Sequence, residues 1–357
     1  MSKIIIIGAG QAGGRLVQNL LANQNDNEIY LFGEEDYLPY ERPPLSKSFL
    51  SGEKKIEDLY LAPSKNFKDK KLRIFHGNKI QKIDIERKQI IDCHNDAYTY
   101  DKLVFANGSS PKKINSNGVK NVFYLRDIGD SQNIKSNLAI SQNIVLLGAG
   151  FINLEIASTI RQKFPEKKIS IIEFSSDILR RNSNPDIRKV IYNLHLDNNI
   201  NFHFNISIKK LIGNTIIEKI ILDNKDEILC DMLVVGIGVK PNIDLLLNTS
   251  LFNEKGIEVN HYCETKISDL YAIGDISLFT SNFFSKKIRE ESYNNAEKQS
   301  FIVSQNITGN KIMYDEVPWF WTDQFKYNFQ ILGEINNYDK CIDRVYNDDK
   351  KIKFFIQ

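Results

Sequence analysis

The chain has 357 residues, 42% of them hydrophobic and 26% charged, with a net charge of +2. That length points to two or three domains with an ordinary globular core, and the charge is far too small to argue for a nucleic-acid partner. Four scattered cysteines, Cys93, Cys230, Cys263 and Cys341, form no C-x-x-C pair. Neither a thioredoxin-type disulfide nor a metal site is therefore signalled, and a reducing cytoplasm is the expected location.

The first element is a strand, Ile4–Ile7, that runs straight into the turn Gly8-Ala9-Gly10-Gln11-Ala12-Gly13. Four apolar residues are too few for a signal peptide or a membrane span, and no membrane partner is expected. Leu16, Val17, Leu20 and Leu21 then mark one face of a helix. In this G-x-G-x-x-G, Gly8 permits the tight turn, Gly10 lets the backbone approach a pyrophosphate, and Gly13 lets helix and strand pack closely. The helix N-terminus offers that pyrophosphate its unpaired N–H groups and its positive dipole end. The next strand, Glu28–Phe32, leads to Glu34, about 20 residues past the last glycine, where an acid holds a ribose hydroxyl.

Arg42-Pro43-Pro44-Leu45-Ser46-Lys47 follows, a stiff loop leading into a helix near Ser46, because paired prolines bar a regular interior. Its Arg42 and Lys47 suit an anionic ligand. A helix-containing excursion is expected over 51–72. From Leu72 to Cys93 the runs read as a short β-meander, and Lys102–Phe105 as a buried strand.

The opening pattern then recurs. Asn143–Leu147 is a strand, Gly148-Ala149-Gly150-Phe151-Ile152-Asn153 the turn, Leu154, Ile156, Ala157 and Ile160 a helix face, and Lys168–Ile172 a strand ending at Glu173. Asn153 stands where the third glycine belongs, so its side chain must fit between helix and strand or push the helix outward. Glu173 favours NADH over NADPH, since a carboxylate accepts from a ribose 2′-OH and repels a 2′-phosphate. Arg180 and Arg181 are the nearby cations that argue the other way. A helix over Ile187–Leu196, β runs to Leu229, and a buried strand Met232–Val235 entering Gly236-Ile237-Gly238 complete this unit. Leu270–Ile273 is a strand ending in Gly274-Asp275, and a helix carries Tyr293, Ala296 and Phe301. Both tryptophans lie in Val317-Pro318-Trp319-Phe320-Trp321, as a core cluster or as a wall for a flat ring.

The order of these motifs, with R-P-P-L-S-K at Arg42–Lys47, G-I-G-V-K-P-N at Gly236–Asn242, Y-A-I-G-D at Tyr271–Asp275 and V-P-W-F-W at Val317–Trp321, covers essentially the whole chain. It resembles the FAD-dependent ferredoxin reductases of the putidaredoxin reductase type, within the pyridine nucleotide-disulfide oxidoreductase superfamily. The resemblance implies an α/β, glutathione-reductase-like fold with two Rossmann-like nucleotide-binding domains. An FAD domain is expected at residues 1–108 and 242–316, an NAD domain at 109–241, and a small C-terminal α/β domain from 317. The chain stops at Lys351–Gln357, mid-strand by the family pattern, so a third to a half of that last domain is expected to be missing.

By the same resemblance, FAD contacts fall on Gly8, Gly10, Ala12, Gly13, Glu34, Arg42, Lys47, Ile80, Arg126, Asp275, Tyr293 and Trp319. Contacts to the nicotinamide cofactor fall on Gly148, Gly150, Phe151, Ile152, Glu155, Glu173 and Gly238. Lys47, paired with Glu155, is expected near the flavin N5. The implied enzyme passes hydride from NADH to FAD and single electrons to a [2Fe–2S] ferredoxin or rubredoxin. The alternatives are another flavoenzyme of this fold, such as an NADH oxidase or nitrite reductase partner, or a flavin-bearing interaction protein whose NADH site is weakened by Asn153 and the short C-terminus. No cysteine lies in Pro44–Lys47, which speaks against the peroxide-reducing members. Asn107 replaces the threonine of the family's A-T-G turn.

Overall fold

The computed structural model describes residues 2–23, 26–61, 67–116, 118–180, 184–333, 340–347 and 350–356. The chain forms two compact units. Unit 1 comprises Met1–Lys112, Arg126–Ser131 and Gly238–Pro318, and unit 2 comprises Lys113–Leu125, Gln132–Ile237 and Trp319–Gln357. The C-terminal segment thus groups with unit 2, where the sequence reads it as a body of its own.

Unit 1 opens with β1 (Lys3–Ile7), α1 (Gln11–Ala22) and β2 (Glu28–Phe32), a βαβ element with β1 and β2 parallel, Ile4 opposite Ile29 and Ile7 opposite Phe32. β3 (Leu72–Phe75) lies parallel to β2, with Leu72 opposite Ile29. The sequence places this stretch in the meander. Its short apolar run suits either sheet, and only the pairing with β2 decides. The meander itself is β4 (Ile80–Asp84), β5 (Gln89–Asp92) and β6 (Ala97–Thr99), all antiparallel. β7 (Lys102–Phe105) returns to the far side of β1, and β8 (Ser109–Pro111) leads out of the unit.

The four isoleucines of β1 are β-branched and favour extended backbone. Successive side chains point to opposite faces. Ile4 and Ile6 pack with Leu16, Val17 and Leu20 of α1, while Ile5 and Ile7 pack with Ile83 and Ile90 of the meander. A strand covered on both faces has no polar alternation, hence the unbroken apolar run.

Unit 2 repeats the plan. β9 (Val122–Phe123) precedes α2 (Ile128–Leu138), which begins within unit 1. Then come β10 (Asn143–Leu147), α3 (Phe151–Lys163), β11 (Lys168–Glu173), α4 (Pro185–Asp197) and β12 (Ile200–Phe204). An antiparallel trio, β13 (Ile208–Ile212), β14 (Lys219–Leu222) and β15 (Glu227–Leu229), precedes β16 (Met232–Val235). The parallel sheet runs β12-β11-β10-β16-β9.

β17 (Val239–Pro241) pairs antiparallel with β8, so the outgoing and returning links of unit 1 are bound together. Next to them Asn107 and Asn242 exchange bonds, each amide donating to the other's backbone carbonyl at 2.6 Å. β18 (Ile257–Val259) and β19 (Leu270–Ala272) follow, and β19 completes the first sheet, β19-β7-β1-β2-β3. β20 (Ser277–Ser281), β21 (Lys286–Ile288) and α5 (Tyr293–Ile307) end unit 1. In unit 2, β22 (Trp319–Gln324) and β23 (Tyr327–Leu332) form a hairpin, and β24 (Lys340–Asn347) pairs antiparallel with β25 (Lys350–Ile356).

Asp269, in a left-handed turn before β19, receives Lys102 Nζ at 2.7 Å and Lys88 Nζ at 3.1 Å. The bond from Lys102 is the main cause that holds its carboxyl below the usual range. The folded value therefore lies under the unfolded one of about 3.9. The stabilisation is complete above that pH and is lost as pH falls through the folded value. Asp269→Asn, which tolerates the turn, should lower Tm at neutral pH, and the two melting curves should converge below about pH 4. A gap that persists in acid would show that this ion pair is not the cause.

Candidate nucleotide-binding sites

Among the described α-helices, two start at a glycine with no side-chain cap. α1 follows Gly10 and α3 follows Gly150, and neither glycine has a side chain to accept from the first turn. Elsewhere the chain closes such ends itself: Asn184 accepts from Asp186 N at the head of α4, and Ser292 from Asn295 N at the head of α5. The N–H groups of α1 and α3 are left for whatever occupies their turns, and an anion with several oxygens is the natural complement.

In unit 1 the turn is closed on its inner side. Gly8 has φ 111°, and a Cβ there would lie 2.3 Å from Ala106 O; a Cβ on Gly13 would lie 1.9 Å from Gly8 O. A Cβ on Gly10 would approach only the Arg42 guanidinium, at 3.8 Å. Arg42 immediately precedes a 3₁₀ turn, Pro43–Ser46, whose prolines set φ at its start. Its Nη2 donates to Glu35 Oε1 at 2.7 Å and its Nη1 to the Arg126 carbonyl. Arg126 supplies a second guanidinium, donating to Asp275 Oδ2 at 3.2 Å, and the same oxygen accepts from Ser109 Oγ at 2.6 Å. Burial first, then the like charge of Arg42, depresses the Arg126 pKa against the pull of Asp275. Two guanidiniums held this way are stabilised by an anion beside the turn. The cradle at Gly10 and this cation pair fit a dinucleotide pyrophosphate.

The other expected contacts of unit 1 fall as follows. Ala12 is buried on α1, and Ile80 is buried at the start of β4. Lys47 closes the 3₁₀ turn, its N–H donating to Pro44 O at 3.0 Å. Tyr293 heads α5, and its hydroxyl accepts from Arg15 and donates to Glu41, each at 3.2 Å. Glu34 is exposed and pairs with Lys79 at 2.7 Å; its neighbour Glu35 is the acid that meets Arg42 and the Tyr40 hydroxyl. Gly238 belongs to this unit, with φ 101° and no atom within 4 Å of a Cβ there.

Sequence reasoning missed Glu35, Ser109 and Gln299. Gln299 Oε1 accepts from Gly274 N and Ser277 Oγ, both at 2.8 Å, which fixes the loop that carries Asp275. A glutamine on the α5 face that also carries Ala296 and Val303 was the available signal. Ser109 offered none.

In unit 2 Gly148 has φ 97°, and a Cβ on it would lie 2.5 Å from Gly236 O. Glu173 reaches from the end of β11 to the turn: its Oε2 accepts from Ala149 N at 2.7 Å and its Oε1 from Ser175 N at 2.8 Å. Phe151 meets Phe320 edge-on, with centroids 5.0 Å apart, and Ile152 is exposed. Arg180 is exposed as well, and Arg181 lies outside the described residues. Glu155, buried on α3, accepts from Thr322 Oγ1 at 2.7 Å, and Thr322 accepts from Gln324 Nε2 at 2.8 Å. Trp319 stacks on Trp321 at 5.4 Å and 28°. Lys47 and Glu155 belong to different units.

The profile of the pyridine nucleotide-disulphide oxidoreductases matches residues 2–300. The chain belongs to this family. Rubredoxin-NAD(+) reductase of Pseudomonas putida is 30% identical over 353 residues, 98% of this chain and 91% of its own. Rhodocoxin reductase of Rhodococcus erythropolis is 31% identical over 335 residues, 92% of this chain and 78% of its own. The crystal structure of the ferredoxin reductase for the CYP199A2 system from Rhodopseudomonas palustris has a TM-score of 0.92 at 30% identity, covering 97% of this chain and 85% of that one. A crystal structure of the covalent putidaredoxin reductase–putidaredoxin complex has a TM-score of 0.93 at 26% identity, covering 100% of this chain and 87% of that one.

As a pyridine nucleotide-disulphide oxidoreductase, the chain is an α/β enzyme with two Rossmann-like sheets. Its described thiols, Cys93, Cys230 and Cys263, are free rather than paired. Burial pushes Cys230 up to about 12 and Cys263 up as well, so neither is a thiolate at neutral pH.

Proposed function

We propose that this chain is an FAD-dependent reductase that draws reducing equivalents from NADH and delivers them to a one-electron carrier, a [2Fe–2S] ferredoxin or a rubredoxin. The observation that carries this reading is the pair of glycine turns without side-chain caps, one of them faced by Arg42, whose guanidinium bonds the Arg126 carbonyl. The relatives named as rubredoxin and ferredoxin reductases, and the complex with putidaredoxin, support the class of acceptor.

Bound FAD would supply a ring that accepts a hydride and gives electrons up singly. The remaining work falls to the chain. The α1 N–H groups with Gly8, Gly10, Gly13, Arg42 and Arg126 would hold the FAD pyrophosphate, and Asp275 a sugar alcohol. Ala12, Glu34, Ile80, Tyr293 and Trp319 are the further contacts proposed for FAD. Lys47 would place its cation near the flavin ring; Glu155 is the other residue proposed for the chemistry, and Thr322 donates to its carboxylate. Gly148, Gly150, Phe151, Ile152 and Gly238 would receive NADH, and Glu173 its adenosine ribose.

The test is direct. The purified protein should be yellow, and anaerobic NADH should bleach it within the mixing time of a hand experiment. Added [2Fe–2S] ferredoxin should then be reduced at a rate far above that seen with oxygen alone. A flavin that stays oxidised under excess NADH sinks the reading. Glu173→Ala should narrow the preference for NADH over NADPH by at least about tenfold, the effect of one charge-assisted bond. Unchanged selectivity would remove Glu173 from the ribose.

A further inference from the structure

Position 153 separates the two turns. At the matching place in unit 1 only glycine fits, since a Cβ on Gly13 would lie 1.9 Å from Gly8 O. Unit 2 carries a full asparagine side chain there, 1% exposed. Its Nδ2 donates to Leu147 O at 2.9 Å and to Gly148 O at 2.8 Å. Those carbonyls belong to the last residue of β10 and the first glycine of the turn. Leu147 O also accepts from Gly236 N at 2.8 Å, so its two lone pairs are used. The reverse amide orientation would set oxygen against two carbonyl oxygens, which the chemistry forbids.

The carbonyl end of the amide faces the end of β16. Asn153 Oδ1 is buried and accepts no hydrogen bond. A Cβ added to Gly236 would come within 2.6–2.7 Å of Oδ1, Cγ and Nδ2 of Asn153, and these three are its nearest neighbours. Gly236 is not among the glycines with positive φ, so its backbone has no need of glycine. What bars a side chain at 236 is the amide of Asn153.

We propose that Asn153 is a positioning residue for the second nucleotide-binding turn. Its carboxamide clamps the Leu147 and Gly148 carbonyls from behind and occupies the space that a side chain at 236 would fill. The third glycine has been exchanged for a hydrogen-bonded clamp, and the site is preformed rather than decayed. This rests on the reading of that turn as the pyridine-nucleotide site.

The test is a double-mutant cycle on the FAD-loaded full chain with Asn153→Ala, Gly236→Ala and the pair together. Alanine at 153 keeps the Cβ and favours the helix, so loss of the amide is isolated. Kd for NAD⁺ is read by calorimetry, and KM and kcat for NADH by flavin reduction, with Tm recorded for each protein. Asn153→Ala should raise Kd and KM about tenfold, the loss of one to two net hydrogen bonds, with kcat within about twofold. Gly236→Ala alone should do the same, because its Cβ displaces the amide. In the Asn153→Ala background it should add less than about twofold, because the obstructing atoms are gone. Should Asn153→Ala fail to accumulate, Asn153→Ser replaces it in the cycle.

A fall in Tm with Kd unchanged would make Asn153 merely structural and overturn the proposal. Equal penalties for Gly236→Ala in both backgrounds would overturn it too. A natural protein that binds no NAD⁺ at all would instead overturn the reading of the turn, and the proposal with it.

Discussion

Gly13→Ala is expected to yield protein that purifies without FAD. The substitution is favourable for the helix by itself, since alanine exceeds glycine by about 1 kcal/mol in a helix interior. That gain is overwhelmed at this position. The added Cβ would sit 1.9 Å from Gly8 O and 3.1 Å from Gly8 C, both backbone atoms of the turn. Backbone cannot rotate away as a side chain can, so α1 must shift off β1 or the turn must open. Overpacking a dense core costs about 1–3 kcal/mol, and the first groups to move are the α1 N–H groups that would meet the pyrophosphate. Absorbance at flavin wavelengths after gel filtration checks it. Full flavin occupancy in Gly13→Ala would mean that the first turn does not hold FAD.

Arg42→Met carries the second-largest effect. The substitution keeps the apolar length while losing the charge, and the Arg42 side chain is about three-quarters buried with Glu35 alongside. One lost charge-assisted phosphate bond of about 1.5–3 kcal/mol weakens FAD about tenfold to a hundredfold. Stability should fall less, by about 1 kcal/mol, because the Arg42–Glu35 pair is partly solvated and Glu35 keeps the Tyr40 hydroxyl. Raising the salt should weaken FAD binding in the natural protein more steeply than in Arg42→Met. Equal salt dependence would place Arg42 away from the phosphates.

Repeated local patterns are legible in the amino-acid sequence alone. The two βαβ elements, their glycine turns and the acids just past β2 and at the end of β11 follow from apolar runs, glycine spacing and helix periodicity, each expressed within about 30 residues. The stiff turn at Pro43–Ser46 is legible for the same reason, since proline fixes its own φ. The place of Leu72–Phe75 is not, because four extended residues carry no mark of the neighbour they will pair with.

The choice between Glu34 and Glu35 shows the limit more sharply. Spacing from Gly13 reaches both acids, but only the packed loop sends one to Lys79 and the other to Arg42. Arg126 lies 84 residues from Arg42 and meets it through its carbonyl. Nothing in either local stretch announces that meeting. The sequence by itself determined the two βαβ elements and the glycine turns proposed to hold two nucleotides, because helix starts and glycine turns are local events. Tertiary structure alone decided that Arg42 meets Glu35 and that the Asn153 amide bonds the Leu147 and Gly148 carbonyls, because a buried polar group takes its meaning from distant partners.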